Sequence, residues 1–167
     1  MRNIYQRIVD PKRGDCYKCT ICALLDLGYD DIPNLVEYDD WLQRAADIFA
    51  EHGYKYTGRA LWNPNVMYLE DPTVNVWEDK KAYEPLTLNA IKPEMGVNGL
   101  FMASVYSPNY TNPNEHPINH LHSVLCDINF NIVFDPNFEY EKVVNYPYSK
   151  LIGYNGIRMV DIIEKIE

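Results

Sequence analysis

At 167 residues the chain is long enough to bury a real core and short enough for one domain spanning 1–167. Its 47% hydrophobic and 23% charged content, with 14 tyrosines, three tryptophans and five phenylalanines, excludes a disordered polypeptide. The formal net charge of -9 speaks against a nucleic-acid partner, since phosphate recognition needs clustered Lys and Arg. No run of about 18 apolar residues occurs, so no membrane span is expected. The stretch Met1-Arg2-Asn3-Ile4-Tyr5-Gln6-Arg7 has no apolar segment of signal-peptide type, which points to a cytoplasmic protein. In such a reducing compartment the four cysteines are expected as thiols rather than disulfides.

Residues 1–13 read as an extended lead-in, apolar at Ile4, Tyr5, Ile8 and Val9 and stopped by Pro11. Gln6 is the polar side chain of this segment with scope for a role. Residues 15–27 predict a buried first helix, with Asp15 as its N-cap through a carboxylate bond to a first-turn N–H. Gly28 is expected just past its end, followed by a turn over 28–34. Residues 39–52 predict a second helix, capped by Asp39 or Asp40 and ended by Gly53. Tyr54-Lys55-Tyr56-Thr57 has strand character. From 58 to 93 the chain reads as short strands and loops broken by Pro64, Pro72 and Pro85, with a short helix near 86–92.

Residues 99–106 predict a strand and 107–114 a loop. His120–Cys126 and Ile132–Phe134 predict an antiparallel hairpin with its turn near Asn129. Residues 158–163 suit a last strand or a short terminal helix. Helices first and a sheet afterwards is the α+β order.

Gly14-Asp15-Cys16 places a cysteine at a helix start, where the dipole and unpaired N–H groups favour a thiolate. A cysteine nucleophile needs an imidazole to share its proton, a group to orient that imidazole, and donors for the oxyanion. His122 and His120 lie on the first strand of the hairpin, and Asp135 ends the second. A turn near Asn129 sets positions near 122 and 135 roughly opposite, at about 5 Å between Cβ atoms. His120 shares a strand face with His122 and remains an alternative base.

The order Tyr5-Gln6, Gly14-Asp15-Cys16-Tyr17, the helix through Leu24-Leu25-Asp26-Leu27, Asp31-Ile32-Pro33-Asn34, Trp41-Leu42, Glu51-His52-Gly53, Ser107-Pro108, His122-Ser123-Val124 and Phe134-Asp135-Pro136 resembles the papain-like cysteine hydrolase superfamily. It is most similar in kind to small bacterial and phage members akin to C39-type peptidases and amidohydrolases. Residues 58–98 lie outside the likeness. The resemblance implies N-terminal helices packed on a small antiparallel sheet. It implies Cys16 as nucleophile, His122 as base and then acid, and Asp135 as the group orienting the imidazole. Gln6 would supply its amide to the oxyanion hole beside the Cys16 N–H. The implied substrate is a peptide or other amide, which includes proteins, and no cofactor or metal is implied. The ten-residue step from Gln6 to Cys16 is wider than in the best-known papain-type enzymes. The polar loop 107–119 also departs from them, and could form one wall of a substrate cleft.

Each residue has a plainer reading. Cys16 suits a buried helix, His122 a hydrogen-bonded strand histidine, Asp135 a turn before proline, and Gln6 the surface. His52 suits a helix C-terminal dipole partner, and His116 a loop. Cys16-x-x-Cys19-x-x-Cys22, with Cys126 as a fourth thiol, raises a metal or iron–sulfur alternative. Helical spacing turns these thiols about 60° per step off one line, and no glycine lies between them. A third reading is a binding or inhibitor module on the same fold without catalysis.

Overall fold

The computed structural model describes residues 1–8, 14–62, 67–70, 83–86, 91–106, 121–129, 131–137 and 157–167. Two helices, α1 (Cys16–Leu25) and α2 (Trp41–Glu51), precede seven strands. These are β1 (Tyr54–Trp62), β2 (Met67–Glu70), β3 (Tyr83–Leu86), β4 (Phe101–Tyr106), β5 (Leu121–Cys126), β6 (Ile132–Phe134) and β7 (Ile157–Lys165). The strands form one sheet in the order β3-β2-β1-β7-β4-β5-β6, every neighbouring pair antiparallel. The architecture is α+β. Among the described residues no helix is long and apolar enough to cross a membrane.

The alternation of β4 assigns the core to two sides of the sheet. Met102 packs with Leu125, Phe134 and Ile163 against Ile21, Cys22 and Leu24 of α1 and Ala45 and Phe49 of α2. Phe101, Ala103 and Val105 pack with Val124, Cys126, Val160 and Ile162 on the other side. Residues Tyr17 to Leu24 of α1 are all buried, as the apolar and small residues around its whole circumference require. α2 is amphipathic and buries Ala45 and Phe49. The Tyr17 and Trp41 rings join the two helices edge to face, with centroids 5.1 Å apart.

Several local expectations are corrected. α1 ends at Leu25, and Asp26 rather than Gly28 takes the left-handed turn, at φ 61°. Aspartate is one of the few residues that tolerate this conformation. Gly28 instead opens a tight 3-10 turn, Tyr29–Asp31, and donates its N–H to the Asp31 carboxylate at 2.6 Å. Asp40 does not cap α2 with its side chain; its carboxylate accepts Arg44 Nε at 2.7 Å. His52 Nδ1 donates to the Ile48 carbonyl at 2.8 Å, in the last turn of α2.

β1 runs on past Thr57 to Trp62. The segment 158–163 lies within a nine-residue strand, β7, placed between β1 and β4. Of the short helix expected near 86–92, Leu86 ends β3, residues 87–90 lie outside the described residues, and a 3-10 turn follows at Pro93–Met95.

Ahead of β4, Val97 and Leu100 exchange backbone hydrogen bonds of 2.9 and 3.0 Å around Asn98-Gly99. Both central residues have positive φ, 53° and 76°, the signature of a two-residue turn of type I′. Gly96 lies so close to this turn that an added Cβ would stand 2.4 Å from the Leu100 carbonyl oxygen. Gly96→Ala should therefore lower the unfolding free energy by about 1–3 kcal/mol, the usual cost of overpacking. Urea denaturation of the variant checks this, and an unchanged midpoint would contradict it.

Candidate active site

The site is assembled from three places in the chain. Cys16 is the first residue of α1 and is partly exposed. His122 is the second residue of β5 and is buried. Asp135 directly follows β6 and is also buried.

The pairing of β5 with β6 contains one irregularity. Cys126 pairs with Ile132 but Leu125 pairs with Phe134, so Val133 is an extra residue on β6. Carried on by one residue, this register sets Asp135 opposite Val124. His122 then becomes its diagonal neighbour on the same face. The imidazole and carboxylate meet there, His122 Nε2 lying 2.7 Å from Asp135 Oδ1. The carboxylate is held by its own turn as well, because Asp135 Oδ1 accepts the Asn137 N–H at 2.8 Å. This is an Asx-turn. The turn reading and the orienting reading of Asp135 thus hold together: one oxygen ends the strand and anchors the ring.

An imidazole that donates from Nε2 to a carboxylate has Nδ1 left for another partner. His122 makes a second side-chain hydrogen bond, to Cys16. Burial, the largest single influence on His122, favours the neutral ring. The hydrogen bonds and charges of Asp135 and Cys16 together outweigh it and raise the pKa from 6.5 to about 10.

Two buried hydroxyls fix the helix beside the strand. Thr20, one turn along from Cys16, lies 2.8 Å from the Ser123 hydroxyl, next to His122. Thr20 Oγ1 donates to the Tyr17 carbonyl at 2.9 Å, so Ser123 is the donor between the two. Neither residue was singled out from the sequence. The available signal was Thr20, a hydroxyl among the mostly apolar residues of the helix.

Asp15 does not act as the N-cap expected of it. It is fully buried, and its carboxylate makes no hydrogen bond to the first turn of α1. It accepts instead from the lead-in, the Arg7 N–H at 3.1 Å and the Ile8 N–H at 3.2 Å, and from the Tyr29 hydroxyl.

Gln6 lies at the margin of this group. Its backbone N–H donates to the Pro136 carbonyl at 2.8 Å, adjacent to Asp135. Its side-chain Nε2 donates to the Ile8 carbonyl at 3.2 Å, which occupies one of two amide protons. His116, His120 and the loop 107–119 lie outside the described residues.

The remaining cysteines are packed into the interior. Burial raises the Cys19 thiol far above its usual range, Cys22 to about 11 and Cys126 to about 12. Cys22 Sγ donates to the Gly28 carbonyl at 3.4 Å. Cys22 and Cys126 belong to cores on opposite sides of the sheet. Among the described residues no three His, Cys, Asp or Glu side chains are grouped to hold a metal.

Comparisons with protein-family models, with curated proteins and with solved structures find no match to this chain.

The raised pKa of His122 has a consequence for stability. The folded ring keeps its proton between pH 6.5 and about 10 while the unfolded ring loses it. Its contribution is thus whole below pH 6.5 and is lost as the pH rises through 10. Asp135→Asn should flatten this decline. Urea denaturation of both proteins from pH 6 to 10 checks it, and parallel curves would contradict the assignment.

Proposed function

We propose that the chain is a papain-like cysteine hydrolase acting on a peptide or other amide bond, with Cys16, His122 and Asp135 as its triad. The observation that carries this reading is the His122 imidazole, bonded on one side to Asp135 at 2.7 Å and on the other to the Cys16 side chain. A histidine that merely filled the sheet would need one partner, and here a thiol at a helix start is the second.

The chemistry follows from the arrangement. Asp135 accepts the Nε2 proton and fixes the ring orientation. At neutral pH the imidazolium holds at Nδ1 the proton that Cys16 has given up, and the helix start favours the thiolate paired with it. The thiolate attacks the substrate carbonyl, a sulfur–carbon bond forms, and negative charge moves to oxygen. The N–H of Cys16, at the first turn, and the Gln6 amide are the donors within this segment for that charge. Collapse breaks the carbon–nitrogen bond, and the imidazolium hands its proton to the departing amine. Water then attacks the thioester, losing a proton to His122, and releases the acid and the free thiol. Transfer to an amine instead of water uses the same groups. All of these steps draw on side chains of this chain, and four free cysteines suit a reducing cytoplasm.

Labelling with an epoxide or iodoacetamide probe at neutral pH tests the reading. Wild-type protein should be modified stoichiometrically at Cys16, and His122→Ala should slow this at least about a hundredfold, the low end of general-base contributions. Modification no faster than that of free cysteine would sink the activated-thiolate assignment and favour a binding module.

A further inference from the structure

The buried Asp15 and the Tyr29 hydroxyl have no part in the triad, yet they converge on the segment that bears Gln6. Ile8 is bonded to Asp15 at both ends of its peptide unit. Its N–H donates to Asp15 Oδ1 at 3.2 Å, and its carbonyl accepts the Asp15 N–H at 3.4 Å. The same carbonyl accepts Gln6 Nε2 at 3.2 Å. A continuous path of hydrogen bonds therefore runs from Tyr29 through Asp15 and Ile8 to the Gln6 amide. Asp15 is also the residue directly before Cys16, so the path joins the segment of Gln6 to that of the nucleophile.

Tyr29 is itself held in place. The Arg7 guanidinium lies 3.7 Å and the Lys18 ammonium 3.8 Å from the centre of its ring. Burial and the neighbouring Asp15 carboxylate hold its phenol well above the usual range, so it remains a donor. Lys18 belongs to the first turn of α1, and Arg7 follows Gln6. The ring thus ties the lead-in to the helix start a second time.

We propose that Tyr29 and Asp15 are positioning residues that fix the Gln6 amide beside Cys16 for stabilising an oxyanion. The inference rests on the hydrolase reading. Such a device acts only when a carbonyl becomes tetrahedral, and so it distinguishes two reactions of one thiolate. Alkylation by iodoacetamide displaces iodide as the sulfur–carbon bond forms and develops no oxyanion. Acylation by p-nitrophenyl acetate passes through one before nitrophenolate departs.

Both rates are measured at Cys16 for wild type, Tyr29→Phe, Gln6→Ala and the double variant, with Asp15→Asn as a second probe of the clasp. Gln6→Ala should slow acylation about a hundredfold, as loss of one oxyanion donor does. Tyr29→Phe should slow it about tenfold and leave alkylation within about twofold of wild type, because misplacement of a donor costs less than its removal. In the Gln6→Ala background Tyr29→Phe should add nothing, because the two act through one group. Equal losses in both reactions, an undiminished Tyr29→Phe effect without Gln6, or unaltered acylation in either single variant would overturn the inference. Slow, His122-independent alkylation of the wild type is a separate outcome, and would overturn the hydrolase reading itself.

Discussion

The buried hydrogen bond between Thr20 and Ser123 is the contact on which the arrangement of the site depends. α1 is apolar around nearly its whole circumference, so hydrophobic burial presses it against the sheet without choosing a rotation or a height. A pair of hydroxyls removes that freedom. Thr20 already donates within its own helix, but Ser123 needs an acceptor once buried, and this seating of the helix supplies Thr20 as that acceptor. Because Thr20 lies one turn from Cys16 and Ser123 adjoins His122, that seating also fixes where thiol and imidazole meet. Packing supplies most of the adhesion, and one polar contact supplies the specificity.

Within the site, burial and partnership work against each other. An imidazole removed from water loses its charged form unless something restores it. Here two groups do so from different directions, the carboxylate of Asp135 and the Cys16 side chain as its thiolate. The carboxylate is itself constrained by the Asn137 N–H. Orientation therefore passes outward from a turn, through a carboxylate, to a ring and then to sulfur. Each link is short, and each is supplied by backbone that the sheet already holds.

Much of this was legible in the chain. Helical periodicity located both helices, alternation located the hairpin, and the glycine–aspartate pair before Cys16 marked a helix start. The role of Asp15 was not legible, because capping rules weigh only the nearest N–H groups. The partners it takes are seven, eight and fourteen residues away. The end of α1 was missed because Asp26 takes a left-handed conformation that local preference gives first to glycine, whereas Asp40 stands at the start of α2 as read, with its carboxylate turned to Arg44. β7 was ambiguous because a strand buried on both faces loses the alternation that identifies an exposed one. The strand expected from Gly99 begins instead at Phe101, because Asn98 and Gly99 form the turn ahead of it.

The extra residue in β6 has a further meaning. Were Val133 paired in regular alternation from Ile132 instead of bulging out of the ladder, Asp135 would fall opposite Ser123, on the face away from His122. The site thus depends on parity. Val133 is exposed, and its chemical identity is of little account there. That it stands outside the pairing is what matters: many side chains can occupy the position, but drawing it into the ladder would exchange the two faces of the strand end. A purely numerical property of the chain, odd or even, decides whether carboxylate and imidazole share a side.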